Sequence, residues 1–356
     1  MQAREVVLPV TVRDKKGSLV TSLKISDFSL TEDGRPQTIK SFTREANLPF
    51  RLGLLVDTSR SVSEAMESER KAAGKFVDSM LPAEPKEGAG TQTDQVFLIH
   101  FDREVELLED FTTSRTRLHK ELDDMGPSRR AQNDPQGPET TGDDRDSSRE
   151  QGRGGRGGTQ LYDAIYLASG PDLMLPKDGR KALVVFSDGV DRGSKETLND
   201  AVDAADRANV AVYTIYFKGE QERAENGFPS NGGHHGGGGG GWPGGGGGGG
   251  WPGGGGGNGG GHRGGGQSET GVDGKKIMEK IATRTGGRYF EAKKKDNLEE
   301  IYAEIAQELR GQYLLTYTPD VVDNEGGFHK IALKANTGDL TVATREGYYA
   351  PGGEAK

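Results

Sequence analysis

The chain of 356 residues contains no cysteine. Disulfide bridges, thiolate metal sites and cysteine nucleophiles are therefore excluded. Long apolar runs are also missing, and none approaches the roughly 20 residues of a membrane-spanning helix. The first residues, MQAREVVLPVTV, contain no apolar segment of the length that signal peptides require. We therefore expect neither a transmembrane segment nor a signal peptide in this sequence.

Positive charge is in deficit, with 46 Lys and Arg residues against 55 Asp and Glu residues and a net charge of −9. Phosphate binding depends on clustered Lys and Arg side chains, so this balance argues against a nucleic acid or an anionic membrane as the partner. The segment GRGGRGG at residues 152–158 resembles an RGG segment. Two repeats in an acidic protein do not change the expectation of no nucleic-acid partner.

Apolar residues are few, at 31%, because glycine is abundant, with 57 residues. Residues 226–271 are Gly-rich and repeat WPGGGGGGG at Trp242 and Trp251, and residues 127–158 contain almost no apolar side chain. Neither segment buries enough apolar surface to offset the entropy of ordering it. Both are predicted to be flexible inserts in an otherwise globular chain.

The role of these inserts is left open by the sequence. They fit surface padding, since long loops cost little in closure entropy, and they also fit covers or partner-binding arms. His234, His235 and His262 fit a borderline-metal site or spectator residues in a glycine tract.

The middle of the chain alternates between two patterns. RLGLLVD, DQVFLIHFD, RKALVVFSDG and VAVYTIYF are short apolar runs typical of strands buried on both faces. SEAMESERKAAGKFVDSML and DNLEEIYAEIAQELRG have helical spacing. This alternation predicts an α/β fold with a doubly wound, mostly parallel sheet. FLIHFDREVELLEDF reads as a hairpin that adds one antiparallel edge strand.

The two ends of the chain have β-strand patterns. Neither end has enough strands to bury a face alone, so we expect the two to pack together as a small all-β, sandwich-like unit. The predicted division is an N-terminal β segment at 1–48, an α/β domain at 49–311 and a C-terminal β segment at 312–356.

Five oxygen-bearing side chains are predicted to meet at one edge of the sheet. Asp57 ends the first core strand, and Ser59 and Ser61 follow in the loop before a helix. Asp188 ends another core strand, and Thr159 precedes a further helix. Ligands of open parallel sheets bind at the carboxyl ends of the strands, and oxygen ligands suit hard cations. The pattern favours Mg²⁺, with Mn²⁺ or Ca²⁺ as possible substitutes.

Helix capping is the competing interpretation of the same residues. A strand-ending aspartate before a serine often caps the next helix. Ser61 and Glu64 also have the spacing of a capping box.

Three segments together carry a resemblance to a known family. DTSRS at residues 57–61 matches the D-x-S-x-S of the metal-ion-dependent adhesion site, and Thr159 in GGTQLYDAI and Asp188 in VVFSDGVD match its distant threonine and aspartate. Residues 49–311 thus resemble a von Willebrand factor type A (VWFA) domain. The flanking β segments look like those of the bacterial, acidobacterial-type VWFA-related proteins.

The resemblance assigns roles to the five residues. It implies that Ser59, Ser61 and Thr159 bind the ion directly, and that Asp57 and Asp188 bind it directly or through water. With all five family positions present in order, a metal site is favoured over capping.

The same resemblance implies a function, a location and a switch. We expect a non-enzymatic, metal-ion-dependent protein–protein interaction or adhesion module, in which an acidic side chain of a partner completes the Mg²⁺ shell. Family members are commonly secreted or envelope proteins, so an extracytoplasmic location is expected. In some relatives the last helix shifts when metal coordination changes. Here that helix is predicted at 296–310, mechanically coupled to the C-terminal β segment.

Two alternative functions remain. One is a structural or scaffolding envelope protein that acts through its β unit and Gly-rich insert. The other is a metal-assisted hydrolase, which is disfavoured because the sequence places no general base beside the ion and contains no phosphate-cradling loop.

Overall fold

The structure, a computed structural model, describes residues 5–44, 48–83, 93–126, 158–174, 177–218, 273–292, 297–320 and 327–350. The predicted flexible inserts lie outside these ranges, apart from Gly158. The histidines and tryptophans of the Gly-rich insert and residue 296 also lie outside the described residues.

The described part of the chain alternates between strands and helices. In chain order the strands are β1 (Val6–Asp14), β2 (Phe28–Glu32), β3 (Arg35–Gln37), β4 (Ile39–Thr43), β5 (Phe50–Asp57), β6 (Gln95–Phe101), β7 (Val105–Thr112), β8 (Arg180–Ser187), β9 (Val210–Phe217), β10 (Tyr289–Ala292), β11 (Tyr313–Tyr317), β12 (Phe328–Ala335), β13 (Leu340–Ala343) and β14 (Gly347–Tyr349). The α-helices are α1 (Met66–Met80), α2 (Arg115–Asp124), α3 (Leu161–Ser169), α4 (Leu198–Ala208), α5 (Gly274–Thr285) and α6 (Leu298–Gly311). Short 3₁₀ helices span Ile25–Asp27 and Arg60–Ala65.

The central sheet has six strands in the order β10-β9-β8-β5-β6-β7. All neighbours are parallel except β7, which runs antiparallel to β6 at one edge. β5 and β9 are buried along their whole length because α1, α2 and α6 cover one face of the sheet and α3, α4 and α5 cover the other. The predicted doubly wound, mostly parallel sheet and its antiparallel edge strand are confirmed.

Strands from both ends of the chain form a second, all-β unit, called the β unit below. One sheet has the order β13-β1-β11-β4 and the other β14-β12-β2-β3, so each combines N-terminal and C-terminal strands. In the first, Val6 pairs with Tyr317, and in the second, Leu30 pairs with Leu333. All four of these residues belong to one apolar core. The predicted sandwich-like unit is confirmed, whereas the boundaries at residues 48 and 311 stay a prediction.

None of the helices in the described part of the chain has the length and apolarity needed to cross a bilayer.

Helix α1 packs against α6 through an unusual buried acid. Glu69 is fully buried and accepts a hydrogen bond from Tyr302 Oη, while its Oε2 has no hydrogen-bond partner among the described residues. Burial raises the pKa of Glu69 to about 8, against the opposing effect of the Tyr302 hydrogen bond. The side chain is therefore neutral at pH 7, which removes the cost of a buried charge.

Replacing Glu69 by glutamine is expected to flatten the pH dependence of stability. The ordinary pKa of 4.5 applies to the unfolded chain, and the folded protein keeps the proton up to about pH 8. The stabilisation is therefore fully present below the lower value and is lost as pH rises through this window. Relative to E69Q, the wild-type free energy of unfolding should fall by on the order of 4 kcal/mol between about pH 4 and about pH 9.

Denaturant unfolding at a series of pH values measures this difference. Glu67→Gln on the exposed side of the same helix is the matched control, and its stability should run parallel to that of the wild type. A constant difference between wild type and E69Q across the series would show that Glu69 titrates normally.

Candidate functional site

Three strands of the central sheet end side by side. The pairing of Asp57 with Phe101 and of Val56 with Phe186 brings together the carboxyl ends of β5, β6 and β8. The Thr58 amide continues this alignment by donating to the Phe101 carbonyl at 2.9 Å. Every loop that carries a predicted site residue starts from or packs against this edge.

Asp57 is the centre of a group of hydroxyl and carboxyl oxygens. It is completely buried, and its Oδ1 accepts the Ser59 amide at 2.9 Å, while its Oδ2 accepts the Ser187 hydroxyl at 2.7 Å. The hydroxyls of Ser59 and Ser61 lie 3.0 Å apart. The D-x-S-x-S segment therefore folds back on itself and turns both serine oxygens toward one another.

The capping interpretation is not supported by this geometry. Ser59 precedes the 3₁₀ helix but makes no side-chain capping bond, and Ala65, which precedes α1, has no side chain able to make one. Ser61 lies inside the 3₁₀ helix rather than at a helix start. The Ser59 hydroxyl, beside Asp57, therefore pairs with the Ser61 hydroxyl rather than with a helix amide.

Asp188 and Thr159 reach the same edge on separate loops. Asp188 follows β8, is buried, and accepts the Val190 amide at Oδ1 over 3.0 Å. The Thr159 carbonyl accepts the Arg192 amide at 3.0 Å, which ties the start of α3 to the loop after β8. Hydrogen bonds connect Asp57, Ser59 and Ser61 directly. Asp188 and Thr159 reach the same edge because the backbone of their loops holds them there.

The surroundings of Asp57 disfavour its negative charge. Burial, and secondarily the charge of Asp188, raise the pKa of Asp57 to about 7, although hydrogen bonds from Ser59 and Ser187 oppose the shift. The partners that the described residues offer to Asp57 are neutral donors. Asp57, whose ionisation is disfavoured by burial and by the neighbouring charge of Asp188, fits a bound cation, which would relieve both effects.

Glycine is required where the Asp188 loop meets α5. Gly189 has φ of +73°, and a Cβ there would lie 2.2 Å from the Gly274 carbonyl oxygen. Any larger residue would push the start of α5 away from the loop. This contact fixes the position of the loop that holds Asp188.

Two residues at this edge were not singled out from the sequence. Ser187 orients Asp57, and the sequence gives no sign of this because Ser187 ends the apolar run of β8 directly before the conspicuous Asp188. His100 is buried in β6, with Nδ1 2.9 Å from the Gly126 carbonyl and Nε2 3.0 Å from Glu106 Oε2.

Asp102 directly follows β6 at this edge of the sheet. It is buried, its carboxylate accepts amides of its own turn, and its carbonyl accepts the Gln160 amide at 2.8 Å. Asp102 is therefore a turn residue that also holds the segment next to Thr159.

The sheet order, the antiparallel edge strand and the D-x-S-x-S segment at the end of β5 define a fold of the von Willebrand A type. No protein-family model matches the chain, and no curated protein matches it.

Solved structures similar to the chain include three at low identity. The von Willebrand factor type A protein from Catenulispora acidiphila is 10% identical, with a TM-score of 0.44, over 100% of this chain and 76% of that one. The vWF domain of the type V pili tip protein Mfa5 from Porphyromonas gingivalis is 12% identical, with a TM-score of 0.44, over 73% and 95%. Proximal thread matrix protein 1 from the mussel byssus, with a zinc-occupied MIDAS motif, is 11% identical, with a TM-score of 0.45, over 78% and 49%. These similarities are distant.

Proposed function

We propose that the chain is a metal-ion-dependent protein-interaction module that binds an acidic side chain of a partner protein. The observation that carries the proposal is the burial of Asp57 and Asp188 together beside the paired hydroxyls of Ser59 and Ser61. Such an arrangement is costly by itself and becomes favourable around a divalent cation.

The donor set fits a hard cation. Asp57, Ser59, Ser61, Thr159 and Asp188 would hold it, and all of them offer oxygen, which suits Mg²⁺ and admits Mn²⁺ or Ca²⁺. When bound, the cation supplies a positive charge at the protein surface that attracts a carboxylate. The chain's own part is to position Asp57 through Ser187 and to fix the Asp188 loop against α5.

The proposed module is not an enzyme. Both ring nitrogens of His100 are engaged by Gly126 and Glu106, and the ring is buried, so this histidine is not placed to take a proton from a bound water. A metal-assisted hydrolase remains the less favoured alternative, and hydrolysis of ordinary ester or phosphate substrates that requires Mg²⁺ would support it.

The attachment points of both inserts lie near the proposed site. Gly126 contacts His100, Gly158 lies against Arg192, and Gly274 lies against Gly189. The inserts themselves lie outside the described residues, so their part in binding, like the extracytoplasmic location implied by the family resemblance, belongs to the proposal.

Selection of displayed peptides on the immobilised wild-type chain tests this function. Peptides are bound in Mg²⁺, eluted with chelator and depleted on the Asp188→Ala variant. We expect the recovered peptides to share an Asp or Glu whose replacement by alanine weakens binding at least about tenfold, because a carboxylate at the cation is the central contact.

Two further results decide between the candidate functions. A variant lacking residues 226–271 should keep the selected peptides, whereas loss of binding would favour a scaffold acting through the Gly-rich insert. A chelator eluate that contains no peptides, or only peptides without an essential carboxylate, would contradict the proposal.

A further inference from the structure

A second group of potential metal ligands lies in the β unit, on strands that the von Willebrand A-type sheet does not include. Glu32 ends β2, Asp33 follows in the turn to β3, and His329 is the second residue of β12. One ligand atom from each of the three lies within 4.8 Å of the others. The backbone brings them together because the Asp33 amide donates to the Lys330 carbonyl at 2.8 Å.

The imidazole of His329 faces both carboxylates through the same nitrogen. Its Nδ1 lies 2.8 Å from Asp33 Oδ2 and 3.7 Å from Glu32 Oε1. A single N–H at Nδ1 can donate to only one of these two oxygens. The 3.7 Å between Nδ1 and Glu32 Oε1 is too long for a hydrogen bond. A cation at this point contacts all three ligand atoms at once.

Glu32 is held in place by two tyrosines on its other oxygen. Tyr317 Oη donates to Oε2 at 2.6 Å, and Tyr348 Oη lies 3.4 Å from the same atom. The side chain of Glu32 is only 6% exposed, and its Oε1 lies 3.7 Å from His329 Nδ1. A buried carboxylate oxygen that is aimed at an imidazole and an acid, with its second oxygen fixed by donors, is built as a ligand.

The separations fit a small divalent ion. Tetrahedral Zn²⁺ with bonds of about 2.0–2.1 Å to nitrogen and oxygen places its ligand atoms about 3.3 Å apart. The two observed separations, 2.8 and 3.7 Å, lie on either side of this value, so small side-chain rotations suffice. Asp33, at 48% exposure, leaves one side open to water for entry and for a fourth ligand.

We propose that Glu32, Asp33 and His329 form a second metal site that binds a borderline divalent cation of the Zn²⁺ class. One imidazole and two carboxylates suit such an ion better than they suit Mg²⁺, which prefers oxygen ligands alone. The site joins the β2–β3 turn to β12 and thus links the N-terminal strand β2 to the C-terminal strand β12. Its function is structural: metal binding stabilises the β unit.

The test is a Zn²⁺ titration of the metal-stripped full chain, followed by calorimetry and by melting. The background carries alanine at Asp57, His234, His235 and His262, which removes competing ligands at the first site and in the Gly-rich insert. We expect this background to bind one equivalent of Zn²⁺ and to melt at a higher temperature with it. His329→Gln should weaken binding at least about tenfold and remove the melting shift.

A matched control is present in the chain. His119 Nε2 lies 3.0 Å from Asp78 Oδ1, which makes a His–Asp pair that no second carboxylate of the described residues joins within 4.8 Å. His119→Gln in the same background should leave Zn²⁺ binding unchanged.

Asp33→Asn, in the exposed turn, provides a second ligand variant that does not depend on how well His329→Gln folds. The proposal is overturned when the background binds no Zn²⁺. It is equally overturned when His329→Gln and Asp33→Asn both still bind one full equivalent of Zn²⁺. Glu32, Asp33 and His329 would then form an ion-pair cluster without a metal.

Discussion

Replacing Asp57 by alanine is expected to abolish the binding of Mg²⁺. In the wild type, calorimetry should show one saturable site, and Mg²⁺ at one hundred times its Kd should add about 2.7 kcal/mol to the free energy of unfolding. Asp57 is the buried carboxylate around which the predicted ligands are arranged, so the variant should lose both the heat of binding and the stabilisation.

Asp110→Ala is the control, because this aspartate is exposed on the edge strand β7. It should bind Mg²⁺ as the wild type does. Retention of the Mg²⁺ heat by Asp57→Ala would place the cation elsewhere, and its absence from the wild type would return the five residues to the capping and turn interpretation.

Replacing Asp57 by asparagine should reverse the order of stability of variant and wild type between chelator and Mg²⁺. In chelator, Asp57→Asn should be at least as stable as the wild type, since it removes a carboxyl group that is buried beside Asp188. In Mg²⁺ the wild type should be the more stable protein. A residue with a purely structural role would be destabilised by substitution to the same extent in both solutions.

Replacing Arg13 by alanine is expected to destabilise the protein by about 2 kcal/mol, because it leaves a buried carboxylate with reduced compensation. Glu308 on α6 is only 1% exposed and forms an ion pair with Arg13 on β1. Arg288 remains 3.5 Å away and Tyr213 Oη donates to the other carboxylate oxygen at 3.3 Å, which moderates the loss. Denaturant unfolding measures the effect.

Lys15→Ala is the matched control for this ion pair. Lys15 and Asp339 also lie within the β unit, but their side chains are 71% and 72% exposed. Exposed pairs contribute about 0–1 kcal/mol, so this substitution should be nearly neutral. Equal stability of the two variants would contradict the proposed coupling between the β unit and the last helix.

The expected coupling between this helix and the β unit has a specific physical basis in these contacts. Arg13 reaches Glu308, and Gln312, which follows α6, donates to Tyr213 Oη at 2.9 Å. If the position of α6 influences the proposed Mg²⁺ site, the Mg²⁺ affinity of Arg13→Ala should differ from that of the wild type.

Burial on both faces leaves continuous apolar runs from which β5, β6, β8 and β9 could be predicted, and a hairpin pattern indicates β7. The exception is β10, where YFEA is only four residues long and alternates between partly buried and buried side chains. At the edge of a sheet such a strand needs no apolar run, so its residues resemble those of a loop. Its place beside β9 is set by tertiary pairing.

The candidate site could be predicted only where its residues form a local pattern. Asp57, Ser59 and Ser61 lie within one segment. Asp188 and Thr159 are indicated by their places at a strand end and before a helix, and the family resemblance supports both. The residues Glu32-Asp33-Gly34 are typical of a turn, but nothing local connects them to His329. Contacts between residues so far apart depend on strand register, which composition and spacing do not encode.

The interleaving of N-terminal and C-terminal strands in the β unit has a consequence for biosynthesis. The partners of β1 are β11 and β13, and β4 pairs with β11, so translation delivers β1 and β4 long before any strand that can satisfy them. The central sheet has all six of its strands before β11 is made, and we expect it to fold first as a unit. Closure of the β unit is therefore a late step with high contact order, and until it occurs the nascent chain carries unpaired strand edges that are prone to aggregation.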